Sequence, residues 1–177
     1  MKTYLDLFSG DELFSDTYKM NVIDNVIYEV FGSDTMCVED IIVNHRLVET
    51  EFRDKKEFTN YFQTYLAKLL MHLEKNGTAS DYFVFKANFV SFRILFDKFK
   101  DVRFFTGQSQ DPEAMIVMCE YKDIDGEKRP VLMFVKHGLI ELDDVKKVKD
   151  EQQQDQSPQI SQQSPMNQGP SSIVPST

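Results

Sequence analysis

"DKKEFTNYFQTYLAKLLMHLEKNG", residues 54–77, carries the strongest periodic signal in the chain and decides its fold class. Phe58, Tyr61, Phe62, Tyr65, Leu66, Leu69, Leu70 and Leu73 recur at steps of three and four, which gathers them on one face of a helix. Asp54 precedes the run with Glu57 three residues on, a capping-box arrangement, and Gly77 supplies a stop. The spacing predicts a helix over 54–76. A second helix is expected over about 80–100, where Phe85, Phe89, Phe92, Leu95, Phe96 and Phe99 keep a similar rhythm. With so short a link between them, the two helices read as an antiparallel hairpin over about 54–100.

Outward from this hairpin the apolar period changes to two. "KTYLDL" (2–7) reads as a strand, and "YKMNVIDNVIYEV" (18–30) as two strands around an Asp24-Asn25 turn. "IIVNHRLVETEF" (41–52) reads as one longer strand, with Ile41, Val43, His45, Leu47 and Glu49 on one face. Gly32 to Asp40 is the connection before it. "VRFFTG" (102–107) returns to strand, and "MIVMCEY" and "PVLMFVKHGL" pair across an Asp125-Gly126 turn, with His137 ending the second strand. The expected fold class is α+β: a mostly antiparallel sheet core with one helical hairpin.

The 177 residues are 41% hydrophobic, with 15 Phe, 7 Tyr and no Trp, which suits a core built on aromatic packing. The net charge is −9, and the last 27 residues add only Glu151 and Asp155 to it. So acidic a surface argues against a nucleic-acid binder, which must displace phosphate counterions. Residues 151–177 hold eight Gln, six Ser and four Pro and read as a disordered tail on a folded unit of residues 1–150. Ser157-Pro158 and Ser164-Pro165 fit proline-directed phosphorylation, although an inert tail is the default. Acidic residues from Asp6 onward exclude a signal peptide, and no apolar run reaches the roughly 18 residues of a membrane span. Cys37 and Cys119 are far apart and form no C-x-x-C pair, so a cytoplasmic, reducing setting is expected.

Catalytic signatures are missing: there is no G-x-S-x-G, H-E-x-x-H, P-loop or G-x-G-x-x-G. The residues do not indicate an enzyme. His45, His72 and His137 lie in settings where structural or solvated roles are the default. Cys119 reads as a buried small hydrophobe and Cys37 as a loop thiol. "DIDG" (123–126) opens like an acidic calcium loop, but its Gly comes fourth rather than sixth and the segment runs into strand, so a hairpin turn is the better reading. Lys98, Lys100 and Arg103, and Lys146, Lys147 and Lys149, form two small basic groups read as solvated surface. "LDLFSGDELFSD" (5–16) gathers Asp6, Asp11, Glu12 and Asp16. Ser9 is expected to accept from the backbone with Glu12 reaching back, and Asp6, Asp11 and Asp16 to be turn and surface acids.

"LDLFSGDELFSDTYKM" (5–20), "DIIVNHRLVETEF" (40–52), "FKDVRFFTG" (99–107) and "AMIVMCEYKDIDGEKRPVLMFVKHGL" (114–139), in this order and with a helix pair between them, resemble the translationally controlled tumour protein family over residues 1–142. The resemblance implies a β-tent fold: a mostly antiparallel sheet core with a projecting helical hairpin. It implies a non-enzymatic protein, with growth control through the small GTPase Rheb, calcium binding, microtubule or tubulin association and suppression of apoptosis. Glu12 matches the acidic residue implicated in GTPase regulation. No cofactor is required, and weak calcium binding is implied without assignable metal ligands. Four departures stand out. The family's acidic flexible loop is replaced by "GSDTMCVED" (32–40), Gln108 stands where the family has a carboxylate after F-F-x-G, a cysteine after the last strand is absent, and the tail is additional. They suggest a divergent paralogue, for which a tissue-specific structural or cytoskeletal role through the tail is the alternative.

Overall fold

A computed structural model describes residues 1–32, 37–143 and Gly169. The long helix, α2, spans Lys55–Asn76. Asp54 caps it by accepting the Glu57 N–H at 2.8 Å, and the Glu57 carboxylate reaches back to the Arg53 N–H at 2.6 Å. That satisfies two main-chain donors, one of them a residue earlier than a standard capping box would. Phe58, Phe62, Tyr65, Leu66, Leu69 and Leu73 form its buried face. Each such side chain contributes about 1.5–3 kcal/mol by leaving water.

The returning arm is a hairpin partner, but not the continuous helix expected over 80–100. It is divided into α3 (Ala79–Ala87), a 3-10 turn (Phe89–Phe92), α4 (Arg93–Asp97) and a second 3-10 turn (Phe99–Asp101). The break falls at Asn88, whose side-chain Nδ2 donates to the Val84 carbonyl at 3.1 Å and competes with main-chain bonding. Phe89, Val90, Ser91 and Phe92 are also weak helix formers. The resulting bends let Phe85, Phe92 and Leu95 all enter the core.

Two antiparallel sheets supply the rest. In the smaller, β1 (Lys2–Asp6) lies between β2 (Glu12–Ser15) and β9 (Leu139–Asp143). The larger runs in the order β3 (Lys19–Ile23), β4 (Ile27–Phe31), β8 (Glu127–Val135), β7 (Val117–Ile124), β6 (Val102–Thr106), β5 (Val48–Thr50). The turns at Asp24-Asn25 and Asp125-Gly126 lie where expected, each with two successive positive φ angles. Asp123 accepts the Gly126 N–H at 3.1 Å, so "DIDG" is hairpin chemistry. Tyr4 stacks on Phe14 at 4.4 Å, and Phe14 packs on Phe134 of β8 at the same separation, which joins the two sheets through their rings.

Two expected strands are corrected. The first half of 41–52 is helix α1, Val38–Asn44, and the strand β5 that follows is three residues long. Val38 and Ile41 are buried at a helical step of three. Glu39 and Asp40 occupy the first turn, and the Cys37 N–H donates to the Asp40 carboxylate at 2.7 Å. The last strand also does not end at His137. After a 3-10 turn at Lys136–Gly138 the chain crosses to the other sheet as β9, paired with β1 from Lys2↔Asp143 to Asp6↔Leu139. That crossing needs glycine, because a Cβ at Gly138 would lie 2.1 Å from the Tyr65 hydroxyl and 2.7 Å from Met115 Cε.

No helix among the described residues is long and apolar enough to cross a membrane. Apart from Gly169, the expected disordered tail over 151–177 lies outside the described residues, as do its two Ser-Pro sites, the 146–149 basic group and part of the 32–40 connection.

Candidate protein-binding cleft at Glu12

The four acids of residues 5–16 separate into different roles. Between β1 and β2 the chain turns tightly: the Asp6 N–H donates to the Asp11 carbonyl at 2.8 Å and the Gly10 N–H to the Asp6 carbonyl at 2.9 Å. Asp6 Oδ2 accepts from the Ser9 N–H at 2.9 Å and the Ser9 hydroxyl at 2.7 Å, and Ser9 Oγ accepts from the Asp11 N–H at 3.2 Å. Ser9 therefore accepts from the backbone as expected, but the carboxylate that organises the turn is Asp6, not Glu12. Nor is Asp6 a surface acid, being 1% exposed with Oδ1 unpartnered. Burial pushes its carboxyl above the usual carboxylate range, against the hydrogen bonds from Ser9.

Asp11 ties this turn to the chain after β6. Its Oδ2 accepts from the Ser109 N–H at 3.1 Å and the Ser109 hydroxyl at 2.6 Å. Close approach is possible because residue 107 is glycine: a Cβ there would lie 2.4 Å from Asp11 Oδ2. Asp16 accepts the Lys2 N–H at 3.0 Å. Asp16 and Glu12 both stay on the surface, Glu12 for a local reason. β1 and β2 lose register between Tyr4 and Leu5, so Leu5 faces Glu12 while Tyr4 faces Phe14. The bulge at Leu13 lets Leu13 and Phe14 both be buried, while Glu12 stays exposed on a braced turn.

Glu12 lines an open cleft of about 440 Å³ with Gly10 and Asp11, across from Asn44, His45, Arg46 and Gln108. Helix α1 brings its end here. Asn44 donates to the Tyr18 hydroxyl at 3.2 Å, and the His45 ring meets Tyr18 edge-on at 6.1 Å. Burial holds the His45 imidazole below its ordinary value, and the nearby Glu12 charge opposes it. Arg46 follows with φ of +52°, and its Nη1 donates to Gln108 Oε1 at 3.4 Å. Reading 41–52 as a strand concealed the approach of Asn44 and Arg46 to Glu12. The Val38–Ile41 spacing above an acidic first turn was the signal for it.

The remaining candidates lie elsewhere. His72 is half-buried beside Asn76, and His137 packs on Phe85 with Asp81 3.9 Å away. Burial pushes the Cys119 thiol up to about 11. Cys37 is exposed; the Asp40 main-chain hydrogen bond favours its thiolate, but the Asp40 and Glu39 carboxylates leave the thiol above its ordinary value. Lys98 donates to both Glu120 oxygens at 2.7 Å, and Arg103 forks onto Glu49 at 2.8 and 2.9 Å. Two cations of that basic group thus meet carboxylates of the same fold. Among the described residues no group of three or more His, Cys, Asp or Glu side chains is placed to hold a metal ion.

The family model of the translationally controlled tumour protein matches residues 1–37 and 31–140, two segments that overlap at residues 31–37. A homologue from Aedes albopictus is 45% identical over 169 residues, covering 80% of this chain and 98% of its own. The Drosophila melanogaster homologue is 38% identical with the same coverage. Among solved structures, p23fyp from Schizosaccharomyces pombe superposes with a TM-score of 0.66 at 30% identity, covering 81% of this chain and 99% of its own. The Caenorhabditis elegans protein gives 0.63 at 27% identity, covering 81% and 98%.

Proposed function

Because this chain belongs to the translationally controlled tumour protein family, we propose that it is a non-enzymatic cytoplasmic regulator whose Glu12 face contacts a small GTPase of the Rheb type in growth control. The observation that carries this reading is the division of labour among the four acids. Asp6 and Asp11 fasten the turn, and Glu12 stands exposed at the rim of a cleft on that fastened turn. A binding surface gains from such bracing, since little ordering entropy is lost on contact. Tubulin association would use the hairpin's returning arm as a second docking face, which exposes Phe83, Val90 and Ile94.

A titration of Rheb with wild type and Glu12→Val tests the role of Glu12. The expected result is at least about tenfold weaker binding, as when one partner of an interfacial charge pair is truncated. The melting transition should move little, because substitutions at exposed sites stay within about 0.5 kcal/mol. Equal affinity of the two proteins removes Glu12 from the interface.

A further inference from the structure

The Glu12 cleft is lined by side chains of opposite charge: Glu12 stands on the β1–β2 turn, and Arg46 follows the C-terminal cap of α1. Two features of Arg46 bear on its use. Its φ of +52° is a left-handed conformation that a residue with a Cβ disfavours and that glycine or asparagine would adopt at less cost. Its guanidinium also meets a neutral partner: the contact is a 3.4 Å hydrogen bond to Gln108 Oε1, and among the described residues no carboxylate forms a salt bridge with it. Arg103 and Lys98 are instead forked onto Glu49 and Glu120. In a chain of net charge −9, this exposed arginine is held by an amide and not neutralised by it.

Resting on the GTPase reading above, we propose that Arg46 is a second recognition residue of the cleft: it takes a carboxylate on the partner protein beside the basic group that Glu12 meets. The planar fork of a guanidinium matches a carboxylate bidentately. Two contacts of opposite sign across one cleft fix the partner's orientation, which a lone carboxylate cannot do. Gln108 becomes a specificity residue. Its amide steadies the guanidinium without neutralising it, whereas a glutamate there would satisfy Arg46 internally.

Rheb titrations with full-length wild type, Glu12→Val, Arg46→Met, Arg46→Lys and Gln108→Glu test this, with a thermal melt of each variant as fold control. Arg46→Met keeps the apolar stem and should weaken binding about tenfold, with a shallower salt dependence. Arg46→Lys should recover part of the loss, and Gln108→Glu should weaken binding although it leaves Arg46 in place. Wild-type affinity in both Arg46→Met and Gln108→Glu, with Glu12→Val still weakened, overturns the role of Arg46 and leaves the GTPase reading standing. No binding by wild type, or equal binding by Glu12→Val, overturns both.

Discussion

The buried face of α2 and the β1–β2 turn are both rigid, but by opposite means. On α2, Phe62 alone meets Phe58, Tyr65, Phe92 and Phe96 at ring separations of 5.6, 6.4, 6.1 and 5.2 Å. Contacts of this kind are non-directional and individually weak, so they hold by number. In the turn, specific polar contacts do the holding: Asp6 bonds Ser9, Asp11 bonds Ser109, and Gly107 leaves the space that Asp11 needs. The aromatic face supplies stability, and the turn supplies placement.

Three experiments would break or sharpen that contrast. The largest effect is expected for Phe62→Ala, a fully buried ring whose loss should cost about 3–5 kcal/mol in a denaturant titration. The Rheb affinity of the molecules that remain folded should be unchanged, and a change would mean that the two regions are coupled. Gly138→Ala probes the seam between them, since its Cβ would collide with Tyr65 of α2 while Gly138 also accepts the Leu7 N–H at 2.9 Å. Such overpacking should cost about 1–3 kcal/mol. The smallest effect is expected at Asp6. Its carboxyl titrates above its unfolded value of about 3.8, so its contribution to stability is complete below that pH and is lost as pH rises through the raised value. The melting temperature of Asp6→Asn should therefore gain on wild type as pH rises from about 4, then level off. His45 and His137, whose imidazoles burial holds below their ordinary value, shift both proteins alike, so the difference isolates Asp6. A variant that falls behind with rising pH would mean that the Ser9 donors outweigh burial.

The elements legible in the sequence were those set by local chemistry. Asp54 and Glu57 announced the start of α2, and the Asp24-Asn25 and Asp125-Gly126 pairs announced two hairpin turns. What was missed depended on distant partners or on breaks. The alternation of Ile41, Val43, His45, Leu47 and Glu49 suggested a strand, yet Val38 and Ile41 had to be buried together, and a half-kept period does not outweigh that. β9 could not be seen locally because its partner lies at the other end of the chain. Glu12 could be singled out by resemblance, whereas its cleft could not, since Asn44 and Arg46 reach it through the unforeseen α1. The burial of Asp6 was equally hidden, because an aspartate within "LDLFSGD" reads as turn chemistry whether it faces water or core.

The pairing of β1 with β9 also sets an order of events. A chain emerging from the ribosome exposes residues 2–6 well before the strand that flanks them on one side, Leu139–Asp143, which is made more than a hundred residues later. At about 5–20 residues per second, that leaves β1 without β9 for roughly 7–27 s, long after α2 and α3 can have formed. The Leu7 N–H also waits for the Gly138 carbonyl, so the Glu12 turn is fastened on that side only when nearly the whole fold has been synthesised. The surface proposed to meet a partner is thus among the last to be completed, and a nascent or shortened chain would not display it in its finished form.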